Sequence, residues 1–88
     1  MSYTAKIGYR VTMQPVTTLA EAEEILDIMR EQGEATRVRG YVIESTVTVT
    51  AETLFNLGRE VSDVEGEIES RLDGYSVSFE QTSLEVPE

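Results

Sequence analysis

Apolar and polar residues alternate from the first residues of the chain. Tyr3, Ala5, Ile7, Tyr9, Val11 and Met13 fall on one parity, and Thr4, Lys6, Gly8, Arg10 and Thr12 on the other. A period of two over this length predicts a strand with one buried face. Pro15, which cannot donate to a ladder, ends it. The period then changes. Leu19, Ala22, Ile25, Leu26 and Met29 recur at intervals of three and four, while Glu21, Glu23, Glu24, Asp27 and Glu31 lie mostly off that stripe. This is an amphipathic helix. Thr18-Leu19-Ala20-Glu21 is a capping box at its start, and Gly33 sits where a left-handed C-terminal cap belongs.

A second helix is predicted from Glu52. Leu54, Leu57, Val61, Val64, Ile68 and Leu72 form one seam. Gly58 and Gly66 each cost about 1 kcal/mol relative to Ala in a helix interior. Ser62-Asp63-Val64-Glu65 is itself a capping box. The segment therefore allows a break, with a short helix to Leu57 and a longer one from Ser62. Gly74 closes it. Tyr75, Val77 and Phe79 then alternate with Ser76, Ser78 and Glu80 as a last strand. Leu84 and Val86 fall on the other parity, which predicts a bulge or fray near Gln81–Ser83.

Between the helices, Ala35–Ala51 supports two readings. As a single strand it buries Tyr41, Ile43, Ser45, Val47, Val49 and Ala51, placing a serine in the core and Val38 and Val42 in water. As a hairpin turning at Glu44-Ser45, it puts Val38, Gly40, Val42, Val47, Val49 and Ala51 on one face. Arg37, Arg39, Tyr41, Ile43, Thr46, Thr48 and Thr50 then share the other. The hairpin sorts apolar from polar better. Two packed helices also cover roughly 20 Å, which four strands at about 4.8 Å match and three do not. A strand from Thr36 to Thr50 would run about 50 Å, against about 30 Å for a compact domain of this size. Glu-Ser is not a favoured tight turn, which weighs against the hairpin. The expected architecture is a single α+β domain over residues 1–88. Its order is ferredoxin-like βαββαβ, a four-stranded antiparallel sheet with two helices on one face. The alternative is βαβαβ with one long central strand.

Composition narrows the chemistry. The 88 residues include neither Cys nor His, so disulfides, thiolate sites, His-based metal sites and the Ser-His-Asp and Cys-His constellations are excluded. No phosphate loop of the GxxxxGK type and no dinucleotide fingerprint occurs. No apolar run approaches the ~18 residues of a membrane span, and the N-terminus resembles no targeting segment. A cytoplasmic protein without cofactor is the default expectation. Carboxylate sets at helical spacing, Glu21/Glu24, Glu60/Asp63/Glu67 and Glu65/Glu69/Asp73, are read first as solvated helix faces. They lack the loop spacing of an EF-hand.

The formal net charge of −10 disfavours direct binding to nucleic acid or anionic lipid. Yet four of the seven basic residues gather on the outer sheet face in the hairpin reading. Lys6, Arg10, Arg37, Arg39, Tyr41 and Ile43 are the candidate partner-binding residues there, with Glu80 as the main acid. The expected function is a non-enzymatic protein-interaction module, a small accessory or regulatory protein of the kind phages encode, which self-associates as a homodimer. Its acidic surface also suits a basic partner. In a second reading Glu60, Asp63 and Glu67 imitate DNA phosphates and inhibit a nucleic-acid-binding protein. The third is a small dimeric ferredoxin-like enzyme with a pocket lined by Tyr3, Tyr9, Tyr75 or Phe79.

Overall fold

A computed structural model describes residues 2–86. Strand β1 spans Tyr3–Met13, helix α1 Leu19–Gln32, strands β2 and β3 Arg37–Arg39 and Val42–Ala51, helix α2 Leu54–Leu72, and strand β4 Val77–Glu85. The order is βαββαβ, and the four strands form one antiparallel sheet in the order β2-β3-β1-β4. Both helices pack on one face of the sheet. Ala5, Ile7, Tyr9 and Val11 of β1, Ile43 and Val47 of β3, Ile25 and Met29 of α1, and Leu57 and Ile68 of α2 form the buried core. This is the ferredoxin-like arrangement, with β3 inserted between β1 and the strand that follows α1.

The hairpin exists, but its turn is not at Glu44-Ser45. It lies at Gly40-Tyr41, between the paired residues Arg39 and Val42. Gly40 has φ 61°, so glycine stands first in a two-residue loop, the pattern of a type II′ turn. The earlier turn makes β2 only three residues long and lets β3 run for ten. The faces of β3 change accordingly. Ile43 and Ser45 turn inward and Val42 turns outward, as in the single-strand reading, while Val38 remains on the helix side of the short edge strand. The expected compact diameter also fails. The molecule measures 46 × 22 × 17 Å, because β1 and β3 are both long.

Ser45 is buried for a local reason. Its hydroxyl lies 3.1 Å from that of Thr36, so the two share a hydrogen bond and no polar atom is stranded. The C-terminus of α1 presses on the same place. A Cβ at Gly33 would overlap the Ser45 hydroxyl and stand 3.0 Å from the Met29 carbonyl oxygen. Gly33 is therefore required by close approach, not by a left-handed cap, since its φ is −109°. Beyond it, the Glu34 amide donates to the Thr46 carbonyl at 2.8 Å, and the Thr48 hydroxyl donates to the Glu34 carboxylate at 3.1 Å.

The helix ends follow their side chains. At α1 the Thr18 hydroxyl accepts from the Glu21 amide and Glu21 accepts from the Thr18 amide, both at 3.2 Å. The buried stripe of α1 is Ile25, Ile28 and Met29; Leu19, placed in the stripe from the sequence, is 77% exposed. Helix α2 runs without a break through Gly58, Ser62 and Gly66, capped instead by Thr53, whose hydroxyl accepts from the Asn56 amide at 3.1 Å. Its seam of Leu57, Val61, Val64, Ile68 and Leu72 packs on the core, and that continuous burial outweighs the glycine cost. An ion pair between Arg71 and Glu31 joins the helices. The β1–β4 register shifts between Gly8 and Tyr9, opposite Gln81–Ser83, where the change of parity predicts a bulge. Among the described residues no helix is long and apolar enough to cross a membrane.

Candidate functional site

The outer face of the sheet is built from the strand residues that point away from the helices. Register places Lys6 opposite Thr48 and Glu85, Arg10 opposite Glu44 and Glu80, Arg37 opposite Glu44, and Arg39 opposite Val42. All four basic residues expected on this face are therefore there. Tyr41 is at the hairpin tip, 57% exposed, and its carbonyl accepts from the Met13 amide at 2.7 Å. Ile43 is not part of the face. It is buried among core residues, because moving the turn to Gly40-Tyr41 reverses its side.

The same shift brings in a carboxylate. Glu44, expected at a turn, stands on the outer face, and the bulge in β4 sets Glu85 there as well. Arg10 lies between Glu80 at 3.2 Å and Glu44 at 3.9 Å, so the centre of the face is largely neutralised. Arg37 and Arg39 make no ion pair among the described residues. Lys6 makes none among them either, so two of the three unpaired cations of the face stand on the β2–β3 hairpin, near Tyr41. Across the whole face, four cations stand against four carboxylates, Glu44, Glu80, Glu85 and Glu34, the last held by the Thr48 hydroxyl, on a chain of net charge −10. A depression of about 290 Å³ lies among Gly8, Arg37, Glu44, Thr46, Thr82 and Ser83. The bulge folds over Gly8, where an added Cβ would stand 2.5 Å from the Ser83 Oγ and 2.7 Å from the Thr82 Oγ1. None of the outward strand positions is aromatic, so the face offers no stacking platform of the kind that holds single-stranded bases.

Glu60, Asp63 and Glu67 are all exposed on α2. Glu60 and Asp63 line a polar recess of about 350 Å³ with Thr50, Glu52, Asn56 and Arg59. Among the described residues, no group of three or more carboxylates is placed to hold a metal ion. The other acidic sets are partly engaged in structure. Glu21 caps α1, whereas Asp73 ends α2 through its backbone amide and not its carboxylate. Glu24 accepts a 2.6 Å hydrogen bond from the Tyr75 hydroxyl. That bond holds the Tyr75 phenol above its ordinary range.

Of the four aromatic residues suggested as a pocket, Tyr9 and Phe79 come together and Tyr3 does not. Tyr3 is exposed at the start of β1. Tyr9 is buried, its ring stacked on Phe79 at 5.1 Å. Its hydroxyl is fully buried and has no hydrogen-bond partner among the described residues. Burial, and then the nearby Glu65 and Glu69 carboxylates, push the Tyr9 phenol up to about 12.

Sequence reasoning missed two surface features. One is an apolar recess of about 260 Å³ at the β2 edge, lined by Met13, Leu19, Leu26, Val38 and Ile43. The other is Phe55, 75% exposed in the first turn of α2. Phe55 lies off the buried seam in the helical period, and that was the available signal.

No protein-family model matches this chain, and no curated protein does. A solved structure described as "De novo designed protein Foldit4" is similar at 19% identity and a TM-score of 0.48, over 94% of this chain and 98% of its own.

Proposed function

We propose that this protein is a non-enzymatic interaction module, a small cytoplasmic accessory or regulatory protein of the kind phages encode. It self-associates, and it binds a protein partner through the outer sheet face. The observation that carries this reading is the β2–β3 hairpin. Two arginines of β2 without ion pairs among the described residues precede an exposed tyrosine at the hairpin tip, on a chain of net charge −10. Arg and Tyr dominate protein-binding hot spots, because each combines a large apolar body with directed donors. A local positive patch on a negative molecule also orients the encounter. The partner surface this favours presents carboxylates.

Affinity capture with the wild-type chain and with an R37E/R39E/Y41A variant tests the assignment. A protein retained by the wild type and lost by the variant supports it, and identical retention by both removes it. A second reading rests on the exposure of Glu60, Asp63 and Glu67 along one side of α2, which suits a basic partner such as a nucleic-acid-binding protein. Charge reversal at those three positions abolishes capture in that case and leaves it intact in the first.

A further inference from the structure

The two edges of the sheet are guarded differently. Strand β2 is three residues long and carries Arg37 and Arg39, so it offers another strand little to pair with. Strand β4 is nine residues long and contains no Pro, Lys or Arg. Among the described residues it pairs only with β1, so the backbone donors and acceptors on its other side have no strand to meet. Its one irregularity is the bulge opposite Gly8 and Tyr9.

The side chains of β4 identify what would pair with it. Register sets Val77, Phe79 and Leu84 on the helix side of the sheet, opposite Met13, Val11 and Ile7. Ser78, Glu80, Ser83 and Glu85 stand on the outer side, opposite Thr12, Arg10, Gly8 and Lys6. Val86 follows Leu84 to the helix side by alternation. The helices leave the end of the strand uncovered, since Leu84 is 49% and Val86 44% exposed. In "VSFEQTSLEV", Val77–Val86, the pattern of apolar and polar residues is the same in both directions. An antiparallel second copy, with the two-fold axis between Gln81 and Thr82, pairs Val77 with Val86 and Phe79 with Leu84 on the helix side. On the outer side it pairs Ser78 with Glu85 and Glu80 with Ser83, so each glutamate meets a serine and none meets a glutamate. Symmetry makes every pair twice. The bulge is what permits this match. Phe79 and Leu84 are five positions apart and would lie on opposite faces of an unbroken strand, but the shift of register brings them to one face. A slip of one residue in either direction opposes Glu85 to Val77 or to Phe79, so the register is specified.

We propose that the β4 edge is a homodimer interface, two β4 strands pairing antiparallel about Gln81-Thr82 so that the two sheets become one continuous sheet. The inference rests on the self-association in the proposed function and gives it a surface. It leaves both β2–β3 hairpins free, because β2 is the opposite edge. Two measurements on the full chain test it. In sedimentation equilibrium from micromolar to millimolar concentration the wild type is expected to dimerise. Ser78→Glu sets like charges opposite each other at Glu85 in both symmetry-related pairs, and is expected to weaken the dimer about tenfold. The chain contains no cysteine, so introduced thiols report the register. Under mild oxidation a mixture of S78C and E85C chains is expected to cross-link faster than either variant alone, since each position faces the other and not itself. A wild-type dimer that Ser78→Glu leaves unchanged, or a mixture that cross-links no faster than its components, overturns the β4 interface and leaves self-association standing. A wild type that stays monomeric throughout overturns both, and leaves the sheet-face partner to be decided by the capture experiment.

Discussion

Tyr9 on β1 and Ser45 on β3 face each other across the two central strands, and both bury a hydroxyl on the helix side. They are treated oppositely. The Ser45 oxygen is matched by Thr36 and closed over by Gly33, so a polar atom in the core is satisfied by a purpose-shaped neighbourhood. The Tyr9 oxygen has no partner among the described residues, and the residue is held by its ring, stacked on Phe79 and enclosed by the core. A small polar residue is tolerated inside when its neighbours fit it, and a large aromatic one when its apolar area outweighs a stranded hydroxyl. The comparison predicts that Ser45 and its surroundings are brittle, and that the Tyr9 hydroxyl is dispensable.

The largest effect is expected at Gly33. Gly33→Ala forces a methyl into the space of the Ser45 hydroxyl and against the Met29 carbonyl. A cost of about 3 kcal/mol is expected in urea unfolding, at the upper end for overpacking, because backbone on one side cannot yield. Removing the Ser45 side chain in G33A/S45G should recover part of the loss, since the two sites share one space. No recovery would show that the clash is not what costs stability. Ser45→Val is expected next, at about 2 kcal/mol, from added bulk against Gly33 and the lost bond to Thr36. Ser45→Ala, which keeps the size and loses only the hydrogen bond, should cost about 1 kcal/mol. If alanine and valine cost the same, hydrogen bonding alone governs this site.

Ser45 also marks the limit of what the sequence reveals. Both helices, β1 and the bulge are legible because each rests on several periodic positions at once. The turn rests on two residues. Parity around Val42 and Val47 favoured a turn at Glu44-Ser45, where a serine looks at home, and passed over Gly40, which carries the turn. Burying Ser45 instead needs the knowledge that Gly33 and Thr36 come to rest on it, a contact between segments that no local pattern encodes. The candidate face inherits that ambiguity. Residues outside the disputed register, Lys6 and Arg10, and those fixed by either hairpin, Arg37 and Arg39, are placed as expected. Ile43 and Glu44, whose sides depend on the turn, are exchanged. Phe55 was passed over for a different reason, because a seam search looks for what is buried and sets aside what lies off the seam.

The smallest effect at neutral pH is expected from Tyr9→Phe. The substitution removes an unpaired buried hydroxyl and keeps the ring against Phe79. Stability should be unchanged or raised by up to about 1 kcal/mol, since no hydrogen bond is lost and a desolvated polar atom is removed. Alkaline pH separates the two chains further. The Tyr9 phenol is pushed up to about 12 in the folded state, from an ordinary value of 10.0. Between those values the unfolded chain has released a proton that the folded chain still holds, so stability falls as pH rises. The contribution is fully present below pH 10 and lost as pH rises through the folded value. Tyr75 acts in the same direction through its bond to Glu24, so the informative quantity is the difference between wild type and Tyr9→Phe. Urea unfolding followed from pH 8 to 11 should show the wild type losing stability more steeply. Parallel curves would mean that the Tyr9 hydroxyl finds a partner or water in solution, and that the contrast with Ser45 is one of size alone.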